Sequence, residues 1–196
     1  MDMLKKLKIA IHLLLIMTFL TGIIYPALVT AIAQCLFPFA ANGSLIKQNN
    51  QLIGSKLIGQ AFTNERYFWG RPSETKPFPY NAKDSSGSNF SAMNTTFLTK
   101  VQLRIDILKK MDPEKQTLIP VDLVTASASG LDPDISPYAA IYQAPRIAKA
   151  RNIPQQDVLK LIQQLTIHRY LNLLGEPRIN VLQLNLALDN YPVTHA

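Results

Sequence analysis

The first feature of the chain is a long apolar run, residues 9–33, which follows Lys5, Lys6 and Lys8. No charged side chain occurs between Lys8 and Lys47. As a helix this run would be about 37 Å long, which exceeds the roughly 30 Å hydrocarbon thickness of a bilayer. The run therefore predicts one membrane-spanning helix that crosses the bilayer with some tilt.

The lysines also predict the orientation of that helix. Three lysines precede the apolar run, whereas only Lys47 lies within about 15–20 residues of its other end. The end of a membrane helix that is flanked by more basic residues is favoured on the cytoplasmic side. We therefore expect residues 1–8 in the cytoplasm, residues 9–33 in the membrane and residues 34–196 outside the cytoplasm. A cleaved signal peptide is the alternative, because residues 31–33 fit a cleavage site, but signal sequences have shorter apolar regions of about 7–15 residues.

Residues 44–124 predict strands, a loop and one helix. Apolar and polar residues alternate on both sides of Asn49-Asn50, which predicts a hairpin. Residues 74–94 are rich in Ser, Asn and Pro and predict a long loop, which could become ordered against another subunit. Apolar residues three and four apart predict a helix over 95–111, and residues 118–124 predict a strand. The apolar face of that helix is expected to comprise Leu98, Val101, Ile105 and Leu108.

The last third of the chain predicts further helices. Ser136 followed by Pro137 favours a helix start, and Pro145 is expected to kink or split that helix. Pro154 opens another helix, and residues 178–189 predict a strand or a strand that turns into a short helix. The inward residues of the helix after Pro154 are expected to be Val158, Leu161, Ile162 and Leu165. The predicted fold class is therefore α+β, with one membrane helix followed by one small domain.

Composition and charge exclude several classes of function. The formal net charge is +7, but the basic residues after the apolar run are dispersed, and Lys109-Lys110 is their only adjacent pair. This pattern lacks the basic stripe of a nucleic-acid-binding protein. The single cysteine, Cys35, excludes an internal disulfide, and His168 and His195 have no ligand-like spacing to it. We therefore predict no zinc site.

Three short motifs suggest chemistry, each with a structural alternative. Ser73 and Lys76 have the Ser-x-x-Lys spacing of a serine–lysine hydrolase, but they lie in a predicted loop without the companion motifs. Asp132 and Asp134 are candidates for guiding a cation, or for interacting with the dipole of the next helix. Short Gly/Ser turns bind anions, so Ser127, Ser129 and Gln143 are nucleotide candidates.

The aromatic run Tyr67-Phe68-Trp69 is the last motif of interest. Such a cluster is typical of core packing, but it can also form a surface that faces a partner.

Several of these motifs, in this order, resemble the C subunit family of the Kdp-type potassium-transporting ATPases. The resemblance extends over nearly the whole chain. It is carried by residues 21–26, 54–62, 67–73, 121–137 and 180–189, of which the run Val-Asp-Leu-Val-Thr-Ala-Ser-Ala-Ser-Gly-Leu-Asp-Pro from Val121 is the most specific.

The chain departs from the family pattern at two places. The glycine-rich run of the family is Ser-Ser-Gly-Ser-Asn-Phe at residues 85–90, and Ala128 stands where the family commonly has glycine. These differences concern loop details and leave the family resemblance intact.

The resemblance implies a non-catalytic accessory subunit in the inner membrane of a bacterium, with its domain in the periplasm. The implied partners are a potassium-binding, channel-like subunit, a P-type ATPase subunit and membrane lipid. The family is described as stabilising the complex and as a catalytic chaperone for ATP binding, so we expect no independent cofactor and ATP only through the ATPase subunit. The candidate contact residues are Tyr67, Phe68, Trp69, Arg71, Asp132, Gln143 and Arg146.

Two alternatives remain open at this point. One is a membrane-anchored periplasmic serine hydrolase that uses Ser73 and Lys76. The other places the domain in the cytoplasm, where Ser127, Ser129 and Gln143 would contact ATP directly.

Overall fold

A computed structural model of the chain describes residues 3–113 and 115–191. The contacts divide the chain after Ile53 into two units, which are described separately. In chain order the elements are α1 (Met3–Phe19), a π-helical turn (Leu20–Ile24), α2 (Tyr25–Leu36), α3 (Pro38–Ala41), β1 (Leu45–Gln48), β2 (Gln51–Ser55), α4 (Thr95–Met111), a 3₁₀ turn (Val121–Leu123), β3 (Asp134–Ile135), α5 (Pro137–Arg151), α6 (Gln155–Leu165), β4 (Ile179–Asn180) and α7 (Val181–Asp189).

The first unit contains one helix that is long and apolar enough to cross a membrane. It extends without interruption over Met3–Leu36, which is 34 residues or about 51 Å. None of its side chains is buried within the chain, as expected of a helix whose environment is lipid. This helix confirms the predicted N-terminal apolar element and is longer than the predicted run, 9–33.

A local widening of the helix accommodates Pro26. Proline has no N–H to donate to the preceding turn, and the π-helical turn Leu20–Ile24 lies directly before it. Within this turn Thr21 Oγ1 donates to the Met17 carbonyl oxygen at 2.7 Å. The Tyr25 N–H donates to the Leu20 carbonyl, five residues back, as is typical of a π-helical turn.

The predicted hairpin is confirmed. Strands β1 and β2 form a two-stranded sheet. Asn49 and Asn50 connect them with φ values of 49° and 62°, the left-handed conformation that favours asparagine in a tight turn.

The second unit is a small α+β domain, which confirms the predicted fold class. Strands β3 and β4 pair antiparallel, with Asp134 opposite Asn180 and Ile135 opposite Ile179. Helices α5, α6 and α7 contribute most of the buried apolar side chains around this short sheet. The largest fully buried apolar residues are Phe68, Leu123, Ile147, Val158, Ile179, Leu184 and Leu188.

The helix predictions are confirmed in position and in part in orientation. Helix α4 has the predicted bounds, and Asn94 caps it by accepting from the Thr96 N–H at 2.8 Å. Leu108 is buried, but Leu98, which was predicted to face inward, is 53% exposed. On α6, Val158 and Ile162 are buried, while Leu161 and Leu165 pack partly against the core.

The predicted strand was wrong, and of the two effects expected at Pro145, a kink or a split, the split does not occur. Residues 118–124 form no strand: Leu118 is 94% exposed, and Pro120 precedes the 3₁₀ turn in which only Leu123 is buried. Pro120 lacks the N–H that a strand ladder needs. Pro145 does not split α5, because Ile147 and other side chains after the proline are buried in the core and hold the helix together.

The long loop is confirmed, since residues 56–94 contain no helix or strand. Much of it nevertheless packs on its own domain, as Phe68, Trp69, Thr75 and Asn81 are buried.

Candidate functional site

The aromatic segment, residues 67–70, is held by two buried amide side chains. The Asn185 amide accepts from the Phe68 N–H at 2.8 Å and donates to the Phe68 carbonyl at 3.0 Å. Gln143 makes the same pair of bonds to Trp69, at 2.8 and 3.1 Å. Each amide side chain forms hydrogen bonds with one backbone N–H and one backbone C=O of the segment. The amides on α5 and α7 therefore take the place of the neighbouring strand with which an extended segment normally pairs.

Two arginines contact the Trp69 ring. The guanidinium carbons of Arg104 and Arg146 lie 5.3 and 5.0 Å from the centroid of the Trp69 ring, within the range of cation–π attraction. Arg146 also donates to the Tyr67 carbonyl at 3.0 Å and to the Gln143 amide oxygen at 2.9 Å. Burial lowers the pKa of Arg146 to about 10, because the buried site disfavours the charged form. Arg146 therefore stays protonated at neutral pH, and its hydrogen bonds connect the aromatic segment to α5.

Burial leaves little accessible surface at part of the predicted contact set, whose role in binding another subunit stays a prediction. Four of the seven predicted contact residues are at most 8% exposed, so they hold the domain together and present almost no surface to another chain; these are Phe68, Trp69, Gln143 and Arg146. Three others are half-buried and keep part of their side chains accessible: Tyr67, Arg71 and Asp132.

Ser73, the candidate nucleophile, has its hydroxyl group committed to the backbone. Its Oγ donates to the Gly130 carbonyl at 2.6 Å and accepts from the Tyr80 N–H at 2.9 Å. Among the described residues, no hydrogen bond joins it to the ammonium group of Lys76, which is exposed. A general base must approach a nucleophile to roughly 2.6–3.2 Å, so this geometry does not support serine–lysine chemistry.

The long loop packs against the serine-rich turn, residues 125–131. Ser85 Oγ donates to the Ser129 carbonyl at 3.0 Å. At Gly87 an added Cβ would lie 2.6 Å from the Ala128 carbonyl oxygen, so this close approach requires glycine. This part of the loop is ordered by its own domain, and its contact with another subunit stays a prediction.

The three nucleotide candidates do not form a common surface. Ser127 is buried, and its Oγ accepts from the Gly130 N–H at 2.9 Å. Ser129 is exposed, and its Oγ accepts from the Leu131 N–H at 3.1 Å. Gln143 is 1% exposed, and its amide is used by the aromatic segment. Direct binding of a nucleotide by these residues stays a prediction without support from their geometry.

The two candidate carboxylates lie at a cleft of about 660 Å³. Asp132 Oδ2 is 3.3 Å from Arg71 Nη1, and Asp134 Oδ2 is 3.1 Å from Arg178 Nε. Burial, and then repulsion from Asp132, raises the pKa of Asp134. Within residues 3–113 and 115–191, no three His, Cys, Asp or Glu side chains are grouped to hold a metal ion. Because a guanidinium group already pairs with each carboxylate, little charge is left to guide potassium, and that role stays untested.

Sequence reasoning missed three residues that build this region. Tyr80 donates its hydroxyl to the Arg71 carbonyl at 2.5 Å, and burial raises the pKa of Tyr80 to about 12. Arg104 donates to the Leu123 carbonyl at 3.2 Å, and burial lowers the pKa of Arg104. Asn185 is the only polar residue among the buried positions of α7. The available signal was an amide between leucines in an apolar helix, since burying it requires hydrogen-bond partners.

The chain is similar to known proteins along almost its whole length. The family model described as KdpC: K⁺-transporting ATPase, c chain, matches residues 7–190. A potassium-transporting ATPase KdpC subunit from Herpetosiphon aurantiacus is 59% identical over 92% of this chain and 93% of its own. Proteins of the same description from Dechloromonas aromatica and Methylococcus capsulatus are each 52% identical, over 94% and 95% of this chain and 96% and 98% of theirs.

Proposed function

The chain belongs to the KdpC family of K⁺-transporting ATPase c chains, and we propose that it is the accessory subunit of an ATP-driven, high-affinity potassium-uptake complex. The observation that carries the proposal is similarity over the whole architecture, since the match at residues 7–190 includes both the apolar helix and the domain. Similarity to one shared domain would support only the fold of that domain.

The geometry of the domain supports an accessory role rather than catalysis. The Ser73 hydroxyl is bonded to Gly130 and Tyr80, and the amide of Gln143 is bonded to Trp69. In this proposal the P-type ATPase subunit binds and hydrolyses ATP. The accessory chain stabilises the assembly and supports nucleotide binding by that subunit, as a catalytic chaperone would.

The proposed partners are the potassium-binding, channel-like subunit and the P-type ATPase subunit, with inner-membrane lipid around the helix. The lysines in the first turns of the helix, Lys5, Lys6 and Lys8, support a cytoplasmic N-terminus and a periplasmic domain. From the periplasm the domain cannot touch cytoplasmic ATP. Any effect on nucleotide affinity is then a coupling free energy transmitted through the assembled complex.

Removal of the domain tests this function. Cells that depend on the complex for potassium uptake would carry the full chain, residues 1–53 alone, or no chain, with matched expression. We expect the full chain to support growth at low potassium, co-purification of the partner subunits and potassium-stimulated ATP hydrolysis. Residues 1–53 are expected to lose all three, because the docking surface of the domain is absent. Normal assembly and hydrolysis with residues 1–53 alone would contradict the proposal.

A further inference from the structure

The first turns of α1 carry three basic side chains on one face. Lys5, Lys8 and His12 are exposed, and they follow one another at spacings of three and four residues. At about 100° per residue, the three side chains fall within an arc of about 60° around the helix axis. Lys6 lies outside this arc, about 100° from Lys5. Lys5, Lys8 and His12, here called the basic face, therefore form one surface at one end of the membrane-spanning helix.

His12 is the only basic residue within the apolar run, residues 9–33. Its Nδ1 lies 2.7 Å from the Lys8 carbonyl oxygen, which can only accept, so Nδ1 carries the hydrogen and donates it. This bond holds the ring next to Lys8 and leaves Nε2 as the ring nitrogen available to a ligand. Nε2 accepts a hydrogen bond in the neutral ring and donates one in the charged ring. A polar side chain at membrane depth is costly, so its position indicates a polar neighbour.

The depth of these residues matches the headgroup layer of a bilayer. The middle of the apolar run is Thr21; at 1.5 Å per residue, Lys8 lies about 20 Å from it along the helix and His12 about 14 Å. The hydrocarbon core extends about 15 Å from the bilayer centre, and the headgroups extend to about 20–22 Å. With the run centred in the membrane, Lys8 lies among the headgroups and His12 at their boundary with the acyl chains. Both residues are therefore at the level of the lipid phosphates.

A shallow groove beside the basic face has one basic end and one apolar end. Its volume is about 410 Å³, and it is lined by Lys8, Ile9, His12, Leu13 and Ile16. Lys8 lies at the end nearer the headgroups, and Ile16 lies at the end nearer the bilayer centre. A phospholipid has the same order of polarity, since its phosphate lies at the surface and its acyl chains lie inside. The groove therefore matches a phospholipid that lies along the helix.

The charge of the basic face favours an anionic lipid. No acidic residue occurs between Met3 and Asn64, so the helix supplies no carboxylate to pair with its lysines. A second copy of the chain in the same orientation would place basic side chains against basic side chains, which is unfavourable. Lysines beside a membrane surface are attracted by anionic headgroups, whereas a zwitterionic headgroup has no net charge to offer. Anionic phospholipid is thus the occupant that matches both the charge and the depth of this face.

We infer that the basic face of α1 binds one anionic phospholipid, with its phosphate on Lys5 and Lys8 and its polar region against Nε2 of His12. Its acyl chains lie in the apolar part of the groove, along Leu13 and Ile16. The inference depends on the membrane-spanning helix and goes beyond the proposed function, so either of the two can fail without the other. It adds a specific lipid site in the leaflet that surrounds the first turns of α1.

Native mass spectrometry of the full chain in detergent, with one lipid added at a time, tests this site. Dioleoyl-phosphatidylglycerol is the anionic probe, and dioleoyl-phosphatidylcholine is the zwitterionic one. We expect the wild-type chain to retain one phosphatidylglycerol and to bind phosphatidylcholine about tenfold more weakly. Lys8→Gln is expected to weaken the binding of phosphatidylglycerol about fivefold, which is the contribution of one lysine near an anionic surface. Glutamine favours helices about as well as lysine, so α1 is expected to stay intact.

Lys6→Gln is the matched control, because it removes the same charge from outside the basic face. It should change the affinity less than about twofold, since solvent ions screen an exposed charge about 10 Å away. Equal losses in Lys6→Gln and Lys8→Gln would reduce the effect to net charge and overturn the inference. Equal binding of the two lipids would also overturn it. So would displacement of phosphatidylglycerol by an equal concentration of inorganic phosphate, because the site would then be one for free phosphate.

A second measurement identifies the occupant in intact membranes. A photo-crosslinking amino acid is placed at position 16, at the apolar end of the groove, or at position 14 on the opposite face of α1. Among the lipid adducts, the fraction of phosphatidylglycerol is expected to be higher at position 16 than at position 14. Equal fractions at the two positions would overturn the inference. Adducts at position 16 with another protein alone, or with a second copy of this chain, would overturn it as well.

Discussion

Replacing Gln143 by alanine is expected to lower the free energy of unfolding of the domain by about 3 kcal/mol or more. The side chain accepts from the Trp69 N–H and from Arg146, and it donates to the Trp69 carbonyl. Truncation would leave the buried N–H and carbonyl groups of Trp69 without a partner and would remove one of the hydrogen bonds of Arg146. Each unsatisfied buried group costs about 1–3 kcal/mol. Since domains of this size are stable by only about 5–15 kcal/mol, a large part of the population is expected to unfold or to be degraded.

Denaturant titration of the purified full chain measures this effect. Trp69 is the only tryptophan, so its emission reports unfolding of the domain without a signal from the membrane helix. Gln164→Ala, which truncates an exposed glutamine on α6, is the matched control and is expected to change stability by less than about 0.5 kcal/mol. A Gln143→Ala variant as stable as this control would show that the amide does not hold the aromatic segment.

Replacing Gly59 by alanine is expected to lower the free energy of unfolding by about 3 kcal/mol. Its backbone is not left-handed, so alanine can adopt the conformation. The obstacle is space, because an added Cβ would lie 2.3 Å from the Tyr80 ring and 2.7 Å from the Asp132 carbonyl oxygen. The Gly59 N–H donates to the Leu131 carbonyl at 2.8 Å, so the backbone cannot move away without losing this bond.

The same Trp69 titration measures the effect of this substitution. Gly22→Ala is the control, since nothing lies within 4 Å of a Cβ added at Gly22. We expect its unfolding midpoint to equal that of the wild type. Equal midpoints for the Gly59 and Gly22 variants would mean that the close packing of Gly59 against Asp132 is absent in solution.

Local signals in the sequence predicted the elements whose ends are set by nearby residues. The turn at Asn49-Asn50 needs only two residues that tolerate a left-handed backbone. Helix α5 begins where Ser136 accepts from the Ala139 N–H at 3.1 Å, three residues further on. In both cases the physical cause lies within a few positions of the element, so a pattern in the sequence identifies it.

The points at which the structure differs from expectation depend on residues far apart in the chain. Residues 118–124 read as a strand in isolation, but the apolar Leu118 and Val121 are exposed and Asp122 accepts from the Ser136 N–H at 2.7 Å. The helix that contains Pro145 stays continuous because its later residues pack in the core. Distant packing decides both outcomes, and it overrides local propensity.

The candidate site shows the same division. The sequence singled out the aromatic segment, and the structure confirms that the rings of Phe68 and Trp69 lie in the core. The sequence did not reveal that the amide of Asn185, 117 positions beyond Phe68, forms the backbone hydrogen bonds of Phe68 that a neighbouring strand would otherwise form. Nor did it reveal that Leu171, Leu173 and Leu174 are exposed, since a short run of leucines after α6 is indistinguishable from core sequence until its exposure is known.

Whether the domain acts from outside the cytoplasm is tested most directly by the accessibility of single cysteines in intact cells. Cys35→Ser removes the only native thiol, and a cysteine is then placed either at the exposed Ala82 or, as the matched control, at Lys5. A membrane-impermeant thiol reagent is expected to label Ala82→Cys in intact cells and Lys5→Cys only after the membrane is opened. The reverse pattern would contradict the account, because it would place the domain on the side of the membrane where ATP is bound.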